Sequence, residues 1–206
     1  MSADPHAGQK VLHAGAPIGE ARLVAILLHG RGASAEDILG LASELSVNDV
    51  AFVAPQAAGG TWYPYSFLAP IPQNEPYLGS ALRRVGAVVD QLAVPRERLA
   101  IMGFSQGACL TLEFAARNAG RYAAVVAFTG GLIGPPGTPR SYPGSFDGTP
   151  IFIGSSDVDP HVPLERVHES TAVLTKMGAI VDKRIYPGMP HTVNQDEIHA
   201  VNALLS

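Results

Sequence analysis

The sequence predicts a domain of the α/β class, with a mostly parallel central sheet flanked by helices. Short apolar runs recur along the 206 residues without alternating with polar ones, which is typical of strands buried on both faces of a parallel sheet. Helical patterns separate most of these runs, as expected when crossovers join parallel strands. Glycine and proline, 22 and 17 residues, fall mostly between the runs, where they indicate turns rather than low complexity.

These patterns predict seven strands and five helices. The strands are expected at residues 11–14, 23–28, 50–54, 99–102, 123–128, 151–153 and 181–186, with the first and last at the edges. The helices are expected at residues 36–45, 79–92, 106–118, 164–177 and 193–205. Ser34 should cap the first helix and Pro163 should open the fourth. Two long segments, 57–76 and 131–149, are expected as loops, and loops of this length are often functional.

Composition and charge exclude several classes of protein. The formal net charge is −4, from 14 basic and 18 acidic residues, so we expect no nucleic-acid partner. A single cysteine, Cys109, excludes intramolecular disulfides and cysteine-rich zinc modules. The longest apolar runs are far shorter than the roughly 20 residues of a membrane span, so we expect no membrane insertion. The first ten residues do not resemble a signal peptide, and we expect one cytoplasmic domain over residues 1–206.

The segment Gly103-Phe104-Ser105-Gln106-Gly107 follows a predicted strand and precedes a predicted helix. This is the strand-turn-helix context in which a G-x-S-x-G motif presents a nucleophilic serine. The turn is sharp, and bulky side chains two residues before or after the serine would collide with it. Both positions are glycine here, and the helix N-terminus that follows favours an oxyanion. We therefore predict that Ser105 is a nucleophile.

A serine nucleophile needs a histidine base and an acid that orients the base. In this arrangement the chain order is serine, acid, histidine, each after a later strand. Asp159 follows the strand at 151–153, and we prefer it to Asp157 because the next residue is proline, which keeps the loop extended. His191 is the one histidine between the last predicted strand and the last predicted helix. The predicted catalytic residues are therefore Ser105, Asp159 and His191.

A second motif, His29-Gly30-Arg31-Gly32, follows the strand at 23–28. An oxyanion hole needs one amide from this loop and one from the residue after the nucleophile, so we predict the amides of Arg31 and Gln106. The chemistry requires no cofactor. A metal site from Asp157, Asp159 and His161 matches no strong ligand pattern, and none is predicted.

An aromatic segment, TWYPYSF, lies within the first long loop. We predict that Trp62, Tyr63 and Phe67 form an apolar wall for substrate; the alternative is that these side chains belong to the core. Cys109, one helical turn after Ser105, is interpreted as a small buried residue rather than a second nucleophile.

Together the motifs HGRG, GFSQG, DPHVP and GMPH resemble the phospholipase/carboxylesterase family of α/β-hydrolases, which includes acyl-protein thioesterases and lysophospholipases. The likeness extends from about residue 23 to the end of the chain. It implies the α/β-hydrolase fold without a large cap domain, the same three catalytic residues and the same two oxyanion amides. Arg31 departs from the resemblance, since acyl-protein thioesterases commonly have an apolar residue there. Together with short loops, a cation at the mouth of the predicted active site favours a compact ester substrate.

The predicted function is hydrolysis of small or short-chain carboxylic esters through an acyl-enzyme. One alternative is a thioesterase or lysophospholipase that uses the same residues. Another, from a different class, is a non-catalytic module that binds a small molecule. A dienelactone-hydrolase-like enzyme would need cysteine where this chain has Ser105. For Arg31, contact with a substrate carboxylate and pairing with a structural acid, Glu36 or Asp37, both remain open. The expected partner is a small-molecule ester, and the expected state is a monomer or homodimer.

Overall fold

The computed structural model describes residues 4–206, so the first three residues of the predicted domain lie outside the described part. Seven strands form one sheet in the order β1-β3-β2-β4-β5-β6-β7. They are β1 (Val11–Gly15), β2 (Leu23–Leu28), β3 (Val50–Pro55), β4 (Leu99–Phe104), β5 (Ala124–Phe128), β6 (Pro150–Ser156) and β7 (Ile180–Tyr186). Only the edge strand β1 runs antiparallel to its neighbour within the described residues. The predicted mostly parallel sheet is confirmed.

Six α-helices accompany the sheet in the described part of the chain. They are α1 (Ala35–Ala42), α2 (Ile71–Asn74), α3 (Tyr77–Leu92), α4 (Gln106–Arg117), α5 (Leu164–Lys176) and α6 (Gln195–Leu205). Ser34 caps α1 in a capping box with Asp37, as a serine before an acidic first turn predicts. The short helix α2 lies inside the segment predicted as a loop, because four residues are too few to show a helical period.

The core has two layers, one on each face of the sheet. Neighbouring residues of a strand point to opposite faces, so Ile26 belongs to one apolar cluster and Leu27 to the other. Helices α3, α4 and α5 cover the first face, and α1 and α6 cover the second. Burial on both faces explains why β2 is apolar at every position.

The connection between β5 and β6 carries no helix among residues 129–149, unlike the other crossovers that follow β2. Two arginines hold this loop in place. Arg166, on α5, donates hydrogen bonds to the carbonyls of Leu132 and Gly134, and Arg140 donates to the carbonyl of Ile133. Because both arginines also pair with one acid, Glu169, α5 and the loop are joined at several points.

Within residues 4–206, no helix combines the length and the apolar character needed to cross a membrane.

Candidate active site

Ser105 stands on a sharp turn between β4 and α4. Its backbone has a φ of 55° and a ψ of −118°, a strained combination for a residue with a side chain. A Cβ atom added to Gly107 would lie 2.0 Å from the carbonyl oxygen of Leu28, and one added to Gly103 would lie 2.4 Å from the carbonyl carbon of Gly107. Only glycine fits at these two positions, so the two glycines of the motif permit the turn.

His191 joins Ser105 to Asp159 by two short hydrogen bonds. Its Nε2 atom lies 2.8 Å from Ser105 Oγ, and its Nδ1 atom lies 2.6 Å from Asp159 Oδ2. An ionised carboxylate can only accept, so Nδ1 carries the proton and Nε2 is left to accept the proton of the serine hydroxyl. These three side chains come from loops after β4, β6 and β7, and they meet beyond the carboxyl ends of these parallel strands.

The other oxygen of Asp159 accepts hydrogen bonds from the amides of His161 and Val162, at 2.7 and 2.8 Å. Burial alone would raise the pKa of this carboxyl, but the hydrogen bonds from His191 and the two amides outweigh it and lower the pKa. Asp159 is therefore anionic at neutral pH, as an acid that orients a histidine must be.

Asp157 has a different partner. Its Oδ1 atom accepts a hydrogen bond from the amide of Gly188, at 2.8 Å. Gly188 opens the loop that carries His191, so Asp157 ties the two loops together by a backbone contact and does not touch the imidazole.

The backbone amides of Arg31 and Gln106, the two residues predicted to form an oxyanion hole, have no hydrogen-bond acceptor within the described part of the protein. The loop that holds Arg31 lies directly against Ser105, since a Cβ atom on Gly30 would lie 3.5 Å from Ser105 Cβ. Unsatisfied amides beside a nucleophile are suited to an oxyanion that forms during reaction.

Two buried histidines support this region, and sequence reasoning assigned them no role. His29 accepts a hydrogen bond from the amide of Ala57 at Nε2 and donates from Nδ1 to the carbonyl of Gly30. His6 accepts from the amide of Ala58 and donates to the carbonyl of Trp62. Burial lowers the pKa of both imidazoles, so both are neutral at neutral pH. The one sequence signal was the position of His29, a polar residue directly after a fully apolar strand.

A cavity of about 630 Å³ opens at Ser105. Tyr63 and Phe67, two of the aromatic residues predicted to form a wall for substrate, line it. Trp62 does not line it: its indole is fully buried and donates a hydrogen bond to the carbonyl of His29. The side chain of Gln106 joins the aromatic loop to α4, because it accepts from the amide of Trp62 and donates to the carbonyl of Tyr63.

Arg31 lines the mouth of the same cavity with an exposed side chain. Its guanidinium donates to the carbonyls of Pro64 and Tyr65 at 2.8 and 2.6 Å, and it lies 6.0 Å from the centre of the Tyr63 ring. The structure pairs neither Glu36 nor Asp37 with Arg31; the first pairs with Lys10 and the second with Ser34. The guanidinium is thus an anchor for the aromatic loop.

Cys109 is buried, and burial raises the pKa of its thiol to about 12, which agrees with a small core residue rather than a nucleophile. His161 packs edge-on against His191 with ring centres 4.8 Å apart. Among residues 4–206, no three side chains of the metal-binding types come together as a possible site for a metal ion.

Known proteins resemble this chain along most of its length. The crystal structure of a phospholipase/carboxylesterase from Dyadobacter fermentans DSM 18053 is 46% identical, with 97% of each chain covered and a TM-score of 0.93. That of esterase PE8 is 24% identical, with 96% of this chain and 97% of that chain covered and a TM-score of 0.78. It shows likeness of fold alone.

One curated relative matches a shorter segment. Acyl-protein thioesterase 1 of Debaryomyces hansenii is 29% identical over 111 residues, which are 53% of this chain and 48% of that protein. The match therefore spans about half the length of the relative. A family model described as phospholipase/carboxylesterase matches residues 12–206, nearly the whole chain. The protein thus belongs to the phospholipase/carboxylesterase family and has the α/β-hydrolase fold.

Proposed function

We propose that this protein is a hydrolase that cleaves small or short-chain carboxylic esters, with Ser105 as nucleophile, His191 as base and Asp159 as the acid that orients it. The single observation that carries the proposal is the hydrogen-bonded line from Ser105 Oγ through both imidazole nitrogens to a buried carboxylate. A serine hydroxyl without such a base is a weak nucleophile.

In the first half of the reaction, Ser105 Oγ attacks the ester carbonyl while its proton passes to His191 Nε2. The negative charge on the carbonyl oxygen is held by the amides of Arg31 and Gln106. The bond from the carbonyl carbon to the leaving oxygen then breaks, and the imidazolium returns the proton to that oxygen. Asp159 stabilises the imidazolium and keeps the ring in place.

In the second half, water repeats the sequence on the acyl-enzyme. His191 takes a proton from water, the hydroxide adds to the acyl carbon, and the carboxylic acid leaves as Ser105 regains its proton. Every proton moves through one imidazole, so the residues present are sufficient for the reaction.

Mass spectrometry with an organophosphonate tests the nucleophile. A single covalent adduct is expected on the peptide that contains Ser105, and Ser105→Ala should prevent it. Turnover of an aryl ester should fall by about 10⁴-fold or more in Ser105→Ala, as in other enzymes that lose a member of such a triad. An adduct on another peptide, with Ser105→Ala still active, would refute the assignment.

Thioester hydrolysis is a second candidate, because the D. hansenii relative is an acyl-protein thioesterase. The same residues serve both reactions, so the leaving group and acyl length must be compared directly. The proposal predicts that kcat/KM for aryl esters is highest for short acyl groups and exceeds that for a thioester of equal acyl length. A preference for the thioester or for long chains would favour the second candidate.

A further inference from the structure

We propose that the acyl group transferred to Ser105 is short and carries a neutral hydrogen-bonding oxygen, which the hydroxyl of Tyr63 recognises. This inference rests on the esterase function proposed above and names the class of its substrate.

The most deeply buried residues that line the cavity at Ser105 define its inner end. Cys109 lines the cavity and lies one helical turn beyond Ser105 on α4, a distance of about 6 Å along the helix axis. Phe67 and Val162, both largely buried, also line it. An acyl chain of only a few carbons therefore reaches from the nucleophile to this end.

The hydroxyl of Tyr63 is at this inner end. The side chain is 1% exposed and lines the cavity, and the hydroxyl lies beside the thiol of Cys109. Their geometry does not make a hydrogen bond, so this oxygen has no partner among the described residues. A buried hydroxyl without a partner is unfavourable and rare. A polar group on a bound acyl chain would supply the missing hydrogen bond.

The chemistry of this end favours a neutral group. Burial raises the pKa of Tyr63 well above its usual value, so the hydroxyl stays protonated and can donate or accept. The charged side chains nearest to the thiol are both paired, Glu113 with Arg117 and Arg166 with Glu169. Neither of these charges is left over to balance an ionised substituent at the inner end, and Arg31, the cation beside the Tyr63 ring, lies at the mouth of the cavity. A hydroxyl or ketone oxygen needs no such charge.

The acyl group, rather than the leaving group, occupies the inner end. The leaving oxygen must receive its proton from His191, which is partly exposed with 19% of its side chain accessible. The leaving group therefore departs on the exposed side of the site, while the acyl group stays attached to Ser105 and extends towards the inner end.

Two aryl esters of equal shape test the inference: 3-hydroxybutanoate, in both enantiomers, and 3-methylbutanoate, in which a methyl group replaces the hydroxyl. Wild-type protein should prefer one hydroxy enantiomer by about tenfold or more in kcat/KM, because a site built for a hydroxyl discriminates against an analogue without it. In Tyr63→Phe this ratio should fall to near one. Since the hydroxyl has no partner in the structure, Tyr63→Phe should fold normally.

Tyr122→Phe is the matched control, because Tyr122 is equally buried but bonds to the carbonyl of Asn118 away from the cavity. Its ratio should equal that of wild type. No preference for either hydroxy enantiomer in wild type, or an unchanged preference in Tyr63→Phe, would overturn the inference. If Ser105→Ala hydrolyses both esters at the wild-type rate, the proposed function itself fails and the inference fails with it.

Discussion

Two carboxylates on one loop, Asp157 and Asp159, have different structural partners although only one residue separates them. Asp159 faces the imidazole of His191, and its second oxygen accepts two amides. Within residues 4–206, Asp157 accepts only the amide of Gly188. At the scale of single residues, hydrogen-bond geometry thus separates the carboxylate proposed to orient His191 from one that fastens a loop.

Replacing each aspartate by asparagine measures this difference. Asp159→Asn should lower kcat by about 10⁴-fold, because an amide no longer holds the required tautomer of His191 or stabilises its cation. Asp157→Asn keeps an oxygen that can accept from Gly188 and should cost less than about tenfold. Both variants are assayed with one aryl ester at saturating concentration. Equal losses in kcat would contradict the separate roles.

The turn at Ser105 is the clearest case in which a whole element depends on the absence of side chains. Gly107 lies against the carbonyl of Leu28, at the end of the neighbouring strand β2. A methyl group there would meet backbone atoms that cannot move without displacing the strand. The missing side chain at Gly107 therefore permits both the close packing of α4 against β2 and the turn that exposes Ser105.

Gly107→Ala should consequently lower the free energy of unfolding by about 4 kcal/mol or more, or prevent folding. Gly86→Ala is the control: this glycine lies inside α3, and an added Cβ would have only an ordinary contact, at 3.8 Å. It should be neutral or stabilise the protein by up to about 1 kcal/mol. Urea denaturation measures the free energy of unfolding of both variants. A Gly107→Ala protein as stable as wild type would show that the turn can accommodate a methyl group.

The aromatic loop is a second element, and its position depends on Arg31. The planar guanidinium donates to two successive carbonyls, a geometry that an ammonium group cannot reproduce. The same side chain lines a site mouth to which no described residue contributes a carboxylate. Anchoring the loop and attracting an acidic ester are therefore separable properties of one side chain.

Arg31→Lys and Arg31→Leu distinguish these properties. Both variants keep the backbone amide, so kcat should stay within about tenfold of wild type, while KM rises as the loop loosens. If the charge attracts acidic esters, Arg31→Leu should lose roughly tenfold in the ratio of kcat/KM for an acidic over a neutral ester of equal size. Arg31→Lys should retain most of that ratio. The same ratio in all three proteins would leave Arg31 with the anchoring role alone.

At the scale of the whole molecule, stability should depend on one buried acid. Glu197 lies in the first turn of α6 and accepts a hydrogen bond from the amide of Asn194. Its other oxygen, Oε1, has no partner among the described residues and lies where a side chain at Gly154 would be. Burial raises the pKa of this carboxyl from 4.5 to about 7.

Between these two pKa values the folded state binds a proton that the unfolded state has released, so stability falls as the pH rises from 4.5 towards 7. Glu197→Gln keeps the oxygen that caps α6 and removes the titration. It should gain on the order of 2 kcal/mol relative to wild type between pH 5 and pH 8, measured as the free energy of unfolding in urea.

Asp196→Asn is the control for this pH dependence. Hydrogen bonds from Arg184 and Tyr186 lower the pKa of Asp196, so it is ionised in both states over the same range. Its effect on stability should be nearly the same at pH 5 and pH 8. A Glu197→Gln protein whose stability follows pH as the wild type does would disprove the role of Glu197.

Much of this fold could be predicted because its signals are local. Each core strand is an apolar run because both of its faces are buried, and the turn at Ser105 needs glycines at fixed spacing. The neighbours of Trp62 are not local: its backbone carbonyl meets His6, 56 residues away, and its indole meets the carbonyl of His29, 33 residues away. No periodicity encodes such contacts, so the burial of Trp62 and the roles of both histidines emerged only in three dimensions.

Trp62 is the only tryptophan in the chain. Its indole is wholly buried, with the rings of His6 and His29 centred 5.5 and 5.0 Å away. Indole fluorescence of this protein therefore comes from a single point directly behind the cavity wall, next to two imidazoles that stay neutral. Trp62 is thus an intrinsic fluorescent probe, and binding at the site can be followed by its emission in the native protein without attaching a dye.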